Sequence, residues 1–188
     1  MVARAEAAAT TADRILDAAV EVFWELPTDQ ISLDEIARRA GVTVQTVIRR
    51  FGGRDGLLAA AVERESEKVR RQRDEAVPGD PAGAVRVLIE HYEVIGDRVL
   101  KMLADEERIP ALRAIVDRGR TLHRSWCARV FAPALARLRG SERERRLAQF
   151  VTLCDVYTWK LLRRDAGLSR RSTEVAVIEL LNPLLKES

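Results

Sequence analysis

Little in this chain of 188 residues invites chemistry. Its two cysteines, Cys127 and Cys154, have no CxxC spacing, so they read as buried thiols of a reduced protein rather than as a disulfide or a metal pair. Its two histidines, His91 and His123, show no metal-site motif, and no zinc site is expected. No Ser-His-Asp order, phosphate-cradling glycine loop or isolated carboxylate pair stands out, and Asp105-Glu106-Glu107 reads as a solvated helix end. These absences argue against an enzyme and against a bound cofactor or metal. No run is apolar enough to span a membrane, and the start lacks a signal-peptide core, so a cytoplasmic protein is expected. Strand-like alternation, internal repeats and low-complexity linkers are missing as well. The formal net charge is only +3, so overall basicity does not argue for a nucleic-acid partner.

What is present is helical pattern, most informatively from Ile31 to Leu57. Leu33, Ile36, Ala37 and Ala40 give one apolar face. Ser32 with Glu35 makes a capping box, Ile31 with Ile36 a hydrophobic staple, and Gly41 a left-handed stop. Thr43 caps a second short helix whose inward stripe is Val47 and Phe51. Gln45 and Arg49 fall opposite that stripe, flanked by Thr46 and Arg50. Between Leu33 and Arg54 five arginines face only Asp34 and Glu35, a local excess of the kind that displaces counterions from phosphate. One reading is an ordinary hairpin with a solvated arginine face. The other is a helix-turn-helix whose second helix reads DNA. The preceding segment, Ala12 to Leu26, favours the second: Ile15, Leu16, Ala19, Val22, Phe23 and Leu26 make a longer helix able to cover the hairpin.

Ile36, Ala37, Ala40, Gly41, Val42, Thr43, Thr46, Val47 and Phe51, followed by Gly52, Gly53, Arg54, Asp55 and Leu57, resemble the head of the tetracycline-repressor (TetR) family of transcriptional regulators. Two positions depart from that family's pattern. Ile48 stands where Tyr is usual, which removes a phosphate-binding hydroxyl but keeps an apolar surface for a thymine methyl, and Arg50 stands where His or Tyr is common. The resemblance implies a DNA-binding regulator, with Thr43, Val44, Gln45, Thr46, Ile48, Arg49, Arg50 and Arg54 as the candidate DNA-contacting residues. It also implies a homodimer on a palindromic double-stranded operator, and release by an unidentified small molecule.

Beyond the head, helices are expected over Arg54–Ala76, Pro81–Ile95, a short stretch to Glu107, Pro110–Leu138, a stretch from a Ser141/Glu144 capping box to Asp165, and a last helix to Leu185. Gly96-Asp97 is read as a break. The last two helices are apolar on more than one side, which fits either a broad internal core or a four-helix interface with a second copy. For the interface, Val151, Thr158, Val177, Ile178 and Leu181 are the candidates. For an apolar ligand, His91, Tyr92, Met102, His123, Trp126, Phe150 and Tyr157 are the candidates, although core packing is the stronger reading for most of them taken singly. The expected architecture is all-α, about nine helices. It comprises a disordered tail over 1–10, a helix-turn-helix domain over 11–57, and a ligand-binding and dimerisation domain over 58–188. The rival functional reading is a helical ligand-binding or protein-interaction body with a degenerate DNA-binding head.

Overall fold

The structure, a computed structural model, describes residues 2–26, 30–108 and 110–186, and for residues 2–8, 110 and 111 the backbone alone. It is all-α, with no strand among the described residues. The helices are α1 (Val2–Glu25), α2 (Leu33–Ala40), α3 (Val44–Phe51), α4 (Arg54–Asp74), α5 (Pro81–Asp105), α6 (Pro110–Val130), α7 (Ala132–Leu135), α8 (Gly140–Leu153), α9 (Val156–Lys160) and α10 (Arg170–Lys186). A π turn, Leu161–Asp165, continues α9.

The chain forms two compact units that divide inside α4, between Glu67 and Lys68. The first, the head, buries Ile15, Ala18, Ala19 and Val22 of α1 with Ile36, Ala37 and Ala40 of α2, Val47 of α3, and Leu57 and Ala61 of α4. It extends ten residues beyond the boundary expected at 57. Leu57 and Ala61 belong to its core, and Arg64 pairs with Asp17 at 2.8 Å and donates to the Asp13 carbonyl at 3.3 Å. The second unit, the body, is built on Tyr92, Trp126, Phe131, Phe150 and Trp159 among aliphatic side chains.

Several expected boundaries move, each for a local reason. Residues 2–10, expected to be a loose tail, are helical: the segment is rich in alanine, the residue that most favours a helix. Gly96 does not break α5. A Cβ there would stand 2.5 Å from Cζ3 of Trp159, so the glycine is the contact point for that ring. The expected helix Pro110–Leu138 ends at Val130, and Phe131 and Pro133 open the short α7. The Ser141/Glu144 capping box does not form. α8 starts at Gly140 without a side-chain cap, and Glu144 pairs with Arg124 at 2.6 Å. The helix expected to reach Asp165 stops at Leu153, because Asp155 caps a new helix by accepting from the Tyr157 amide at 2.9 Å. The Asp80–Pro81 start of α5 forms as expected, with Asp80 accepting from the Gly83 amide at 2.9 Å.

Candidate nucleic-acid interface

The hairpin α2–α3 is held by short-range devices. Ser32 Oγ accepts from the Glu35 amide at 3.2 Å, and Ile31 packs on the core that buries Ile36. The return half of the capping box is taken over by arginine. The Glu35 carboxylate accepts from Arg38 at 2.7 and 2.8 Å and from Arg39 at 2.7 Å. The hydrogen bonds from Arg38, then those from Arg39, hold the Glu35 pKa down to about 2. Gly41 ends α2 in the left-handed region, φ 64°. The carbonyls of Ala40 and Gly41 accept from the guanidinium of Arg14 on α1, so a cation closes the negative end of α2.

Thr43 then caps α3: its Oγ1 accepts from the Thr46 amide at 3.2 Å and lies 3.0 Å from the Thr46 hydroxyl. Val47 is fully buried and Phe51 half-buried, which fixes the rotation of the helix. Thr43, Gln45, Ile48, Arg49 and Arg50 are exposed on the other side, Val44 and Thr46 are half-buried, and Arg54 is exposed at the start of α4. The turn into α4 needs Gly56, where a Cβ would stand 1.8 Å from the Phe51 carbonyl oxygen.

The five arginines counted in the sequence are not equivalent. Arg38 and Arg39 are engaged by Glu35, and Arg39 also by Glu25. Arg49 forms no ion pair among the described residues. The signal for the pairing was readable: Arg38 and Arg39 lie three and four residues after Glu35, the separations that bring side chains together on a helix. Arg14 gave no such signal, since its acceptors are carbonyls 26 and 27 residues away.

In the body the expected ligand residues do not form one surface. Tyr92, Trp126 and Phe150 are core: Tyr92 donates to the Cys154 carbonyl at 3.1 Å, Trp126 to the Arg73 carbonyl at 2.9 Å, and Phe150 stacks on Phe131 with centroids 4.3 Å apart. Tyr157 is 52% exposed, because Val156 and Trp159 take the inward side of α9; its expected place beside Tyr92 and Trp126 is corrected. Met102 and His123 are half-buried, and His91 is buried. A groove of ≈ 330 Å³ beside Gly79, Val130, Phe131, Pro133, Arg137 and Leu185 includes none of the seven.

What His91, Tyr92, His123 and Trp126 do share is Arg73, which sequence reading passed over. Its guanidinium lies 5.4 Å from the Tyr92 ring centroid and 5.1 Å from that of Trp126. Its Nη1 donates to Nδ1 of His123 at 3.1 Å, while His123 Nε2 donates to the Val151 carbonyl at 3.1 Å; these partners fix the neutral tautomer. His91 Nδ1 donates to Gln72 Oε1 at 3.0 Å, and burial, with Arg73 and His123 adding to it, brings its pKa down to about 3. The thiols adjoin this group: Cys127 Sγ is 3.8 Å from His123 Nε2. A hydrogen bond from Cys154 lowers the Cys127 pKa, and the same contact raises that of Cys154.

Two of the expected interface residues are misassigned. Val177 and Leu181 lie with Thr173 on the inward face of α10, fully buried in this chain's own core. Spacing of four residues fixes that face, and both lie on it. Val151, Thr158 and Ile178 are half-buried. The exposed large apolar side chains of these last helices are instead Tyr157, Leu161, Val175 and Leu180, 47–60% exposed.

A helix pair with two side-chain caps, a left-handed glycine between them and an outward polar face is a helix-turn-helix. Residues 15–61 match the bacterial regulatory proteins of the tetR family. A 61-residue stretch is 41% identical to an uncharacterised HTH-type transcriptional regulator of Mycobacterium tuberculosis, covering 32% of this chain and 30% of that relative. Over nearly the whole chain the fold is similar to solved structures. A transcriptional regulator of Rhodococcus has TM-score 0.67 at 21% identity, covering 94% of this chain and 96% of that one. A tetR-family regulator of Streptomyces coelicolor has 0.67 at 19%, covering 92% and 81%. The regulator FadR of Bacillus subtilis, in complex with stearoyl-CoA, has 0.63 at 19%, covering 89% and 96%. Residues 15–61 are thus a tetR-family head, the chain spans about a third of the length of the curated relatives it matches, and its remaining residues share the fold of the solved regulators.

Proposed function

We propose that the chain is a transcriptional regulator that binds a palindromic operator as a homodimer and represses until a small molecule binds its body. The observation that carries the reading is α3. Val47 is locked inward, Thr43 caps the start, and Gln45, Ile48, Arg49 and Arg50 are left outward on one short helix. A helix of this kind enters a major groove with its first residues at base edges, and in this reading the exposed Arg54 meets a phosphate. No helix of the described residues is long and apolar enough to cross a membrane.

Dimerisation is supported by the apolar side chains of α9, the π turn and α10. Tyr157, Leu161, Val175 and Leu180 are what a second copy would cover. Release by a ligand is supported by the FadR likeness, in which a related fold holds an acyl-CoA, and by the polar groups buried in the body. Selection of bound duplexes from a random pool is the test. The expected result is a two-fold symmetric site bound with strong salt dependence, and Leu161→Arg or Leu180→Arg giving a monomer by sedimentation with loss of tight operator binding. Retention of random duplexes without enrichment of any sequence would remove the regulator reading.

A further inference from the structure

No carboxylate among the described residues answers the charge on Arg73. The side chain is 8% exposed, its Nε has no hydrogen-bond partner, and it forms no ion pair among the described residues. Around it lie Tyr92 and Trp126, the thiols of Cys127 and Cys154, and His123, which accepts from it as a neutral base. Buried cations are ordinarily paired, because removing one from water costs several kcal/mol that aromatic faces and neutral acceptors repay only in part. The other arginines that cross the body show the ordinary solution: Arg163 sits on Glu93 at 2.9 Å, and Arg164 on Asp97 at 2.9 Å. Arg73 departs from it in the place where α4 is fastened to α6, since its own carbonyl accepts from Trp126 Nε1 and from Arg129.

We infer that Arg73 is the recognition group of an effector site in the body, and that the effector is a small organic monocarboxylate with an aromatic or apolar remainder. This rests on the ligand-responsive regulator proposed above and adds the chemistry of its ligand. The free Nε–H, together with a neighbouring guanidinium N–H, is the two-donor edge that a carboxylate accepts from. One cation without a carboxylate partner, with both nearby imidazoles neutral, matches one negative charge; a phosphate ester would leave a second charge buried without a partner. The rings of Tyr92 and Trp126 supply the apolar surroundings that the rest of such a molecule takes. Arg73 lies in closed packing, so a carboxylate reaches it as α4, α5 and α6 part there. A ligand that binds only the parted arrangement shifts the population towards it.

The test compares acids with their own amides on the full-length protein. Acetate, hexanoate and benzoate, and acetamide, hexanamide and benzamide, are titrated while thermal unfolding is followed. The expected result is a midpoint that rises with the logarithm of acid concentration for hexanoate or benzoate and not for the matching amide. Arg73→Met removes the difference. Arg73→Lys, which keeps the charge but loses the fork, weakens it at least about tenfold. Equal effects of acid and amide overturn the inference, as does a wild-type response in either variant. A response lost in Cys127→Ser but kept in Arg73→Met also overturns it, since the thiol would then be the receptor. Enriched operator DNA with no acid effect removes this inference alone, whereas an acid effect without operator binding removes the regulator reading and leaves the anion site standing.

Discussion

The head and the body of this chain solve the same problem with different materials. The head packs its helices through small side chains: Ala18, Ala19, Ala37, Ala40 and Ala61 make up half of its buried set. It fixes their ends with caps reaching only a few residues. The body packs its helices through the largest side chains, with Trp159, Phe131 and Phe150 heading its fully buried set, and it buries Arg73, His91 and Thr173 among them. Small residues and caps set an outer face accurately on little core. Large rings and buried polar groups make a thicker core, and they enclose in Arg73 a charge that no carboxylate of the described residues meets.

The largest expected effects test the body's half of that contrast. Trp159 is 1% exposed, donates to Glu93 Oε1 at 3.0 Å and lies against Gly96. Trp159→Ala is expected to cost about 3–5 kcal/mol of unfolding free energy in denaturant titrations. Gly96→Ala, which forces the ring away, is expected to cost about 1–3 kcal/mol. A cost below about 1 kcal/mol for Trp159→Ala would mean that rings do not carry the body.

Acid should separate the two units. His91 titrates near 6.5 when unfolded and at about 3 when folded, so the unfolded chain binds the extra proton between those values. Stability is therefore full above about pH 6.5 and falls towards pH 3, with a slope of about 1.4 kcal/mol per pH unit from this group. Its neighbours Gln72, Tyr92 and His123 bring no negative charge to offset the proton, and Arg73 opposes it. Glu35 runs later: its pairing is present above the ordinary carboxylate range and is lost as pH falls through about 2. Unfolding free energies measured from pH 7 to pH 4 should fall in the wild type and flatten in His91→Gln. An unchanged slope in that variant would assign the acid loss to other groups.

How much the sequence disclosed follows the same division. Ser32, Gly41 and Thr43 act within four residues of themselves and Val47 and Phe51 mark the inward stripe by their spacing, so the hairpin and the outward face of α3 were legible. The body's errors come from contacts far along the chain. Gly96 reads as a helix break until Trp159, 63 positions later, is seen against it. Arg73 looks like one more charge in Arg70-Arg71-Gln72-Arg73 until Tyr92 and Trp126 close over it. Val177 and Leu181 were on the correct stripe, but pattern alone does not say whether a stripe meets its own chain or another copy.

On the head, Arg49 sharpens the contrast between a positioned face and a paired one. It is exposed and without an ion pair among the described residues. If it reads a base edge, Arg49→Ala should cost about 1–3 kcal/mol of operator affinity and relax preference at one position, as measured by repeating the duplex selection. Arg54→Ala should instead weaken all duplexes alike and lower the salt slope by about one unit. Selectivity unchanged by Arg49→Ala would take α3 out of the reading role.

The smallest expected effect tests whether Glu35 restrains the head's charge or aims it. Its carboxylate engages Arg38 and Arg39 together, and Arg39 reaches Glu25 as well. Exposed pairs of this kind are screened by solvent and contribute little, so Glu35→Gln should leave folding almost unchanged. It adds one positive unit to the net charge of α2. If the pairing only masks arginines, the variant should bind random duplexes a few-fold more tightly, with a salt slope steeper by up to about one unit. If the pairing aims Arg38 and Arg39 at phosphates, releasing them lowers operator affinity instead and leaves random binding where it was. Titrating operator and random duplexes at two salt concentrations separates these outcomes. The masked reading is favoured by the capping geometry, because Ser32 holds the Glu35 backbone in place whether or not its carboxylate is charged.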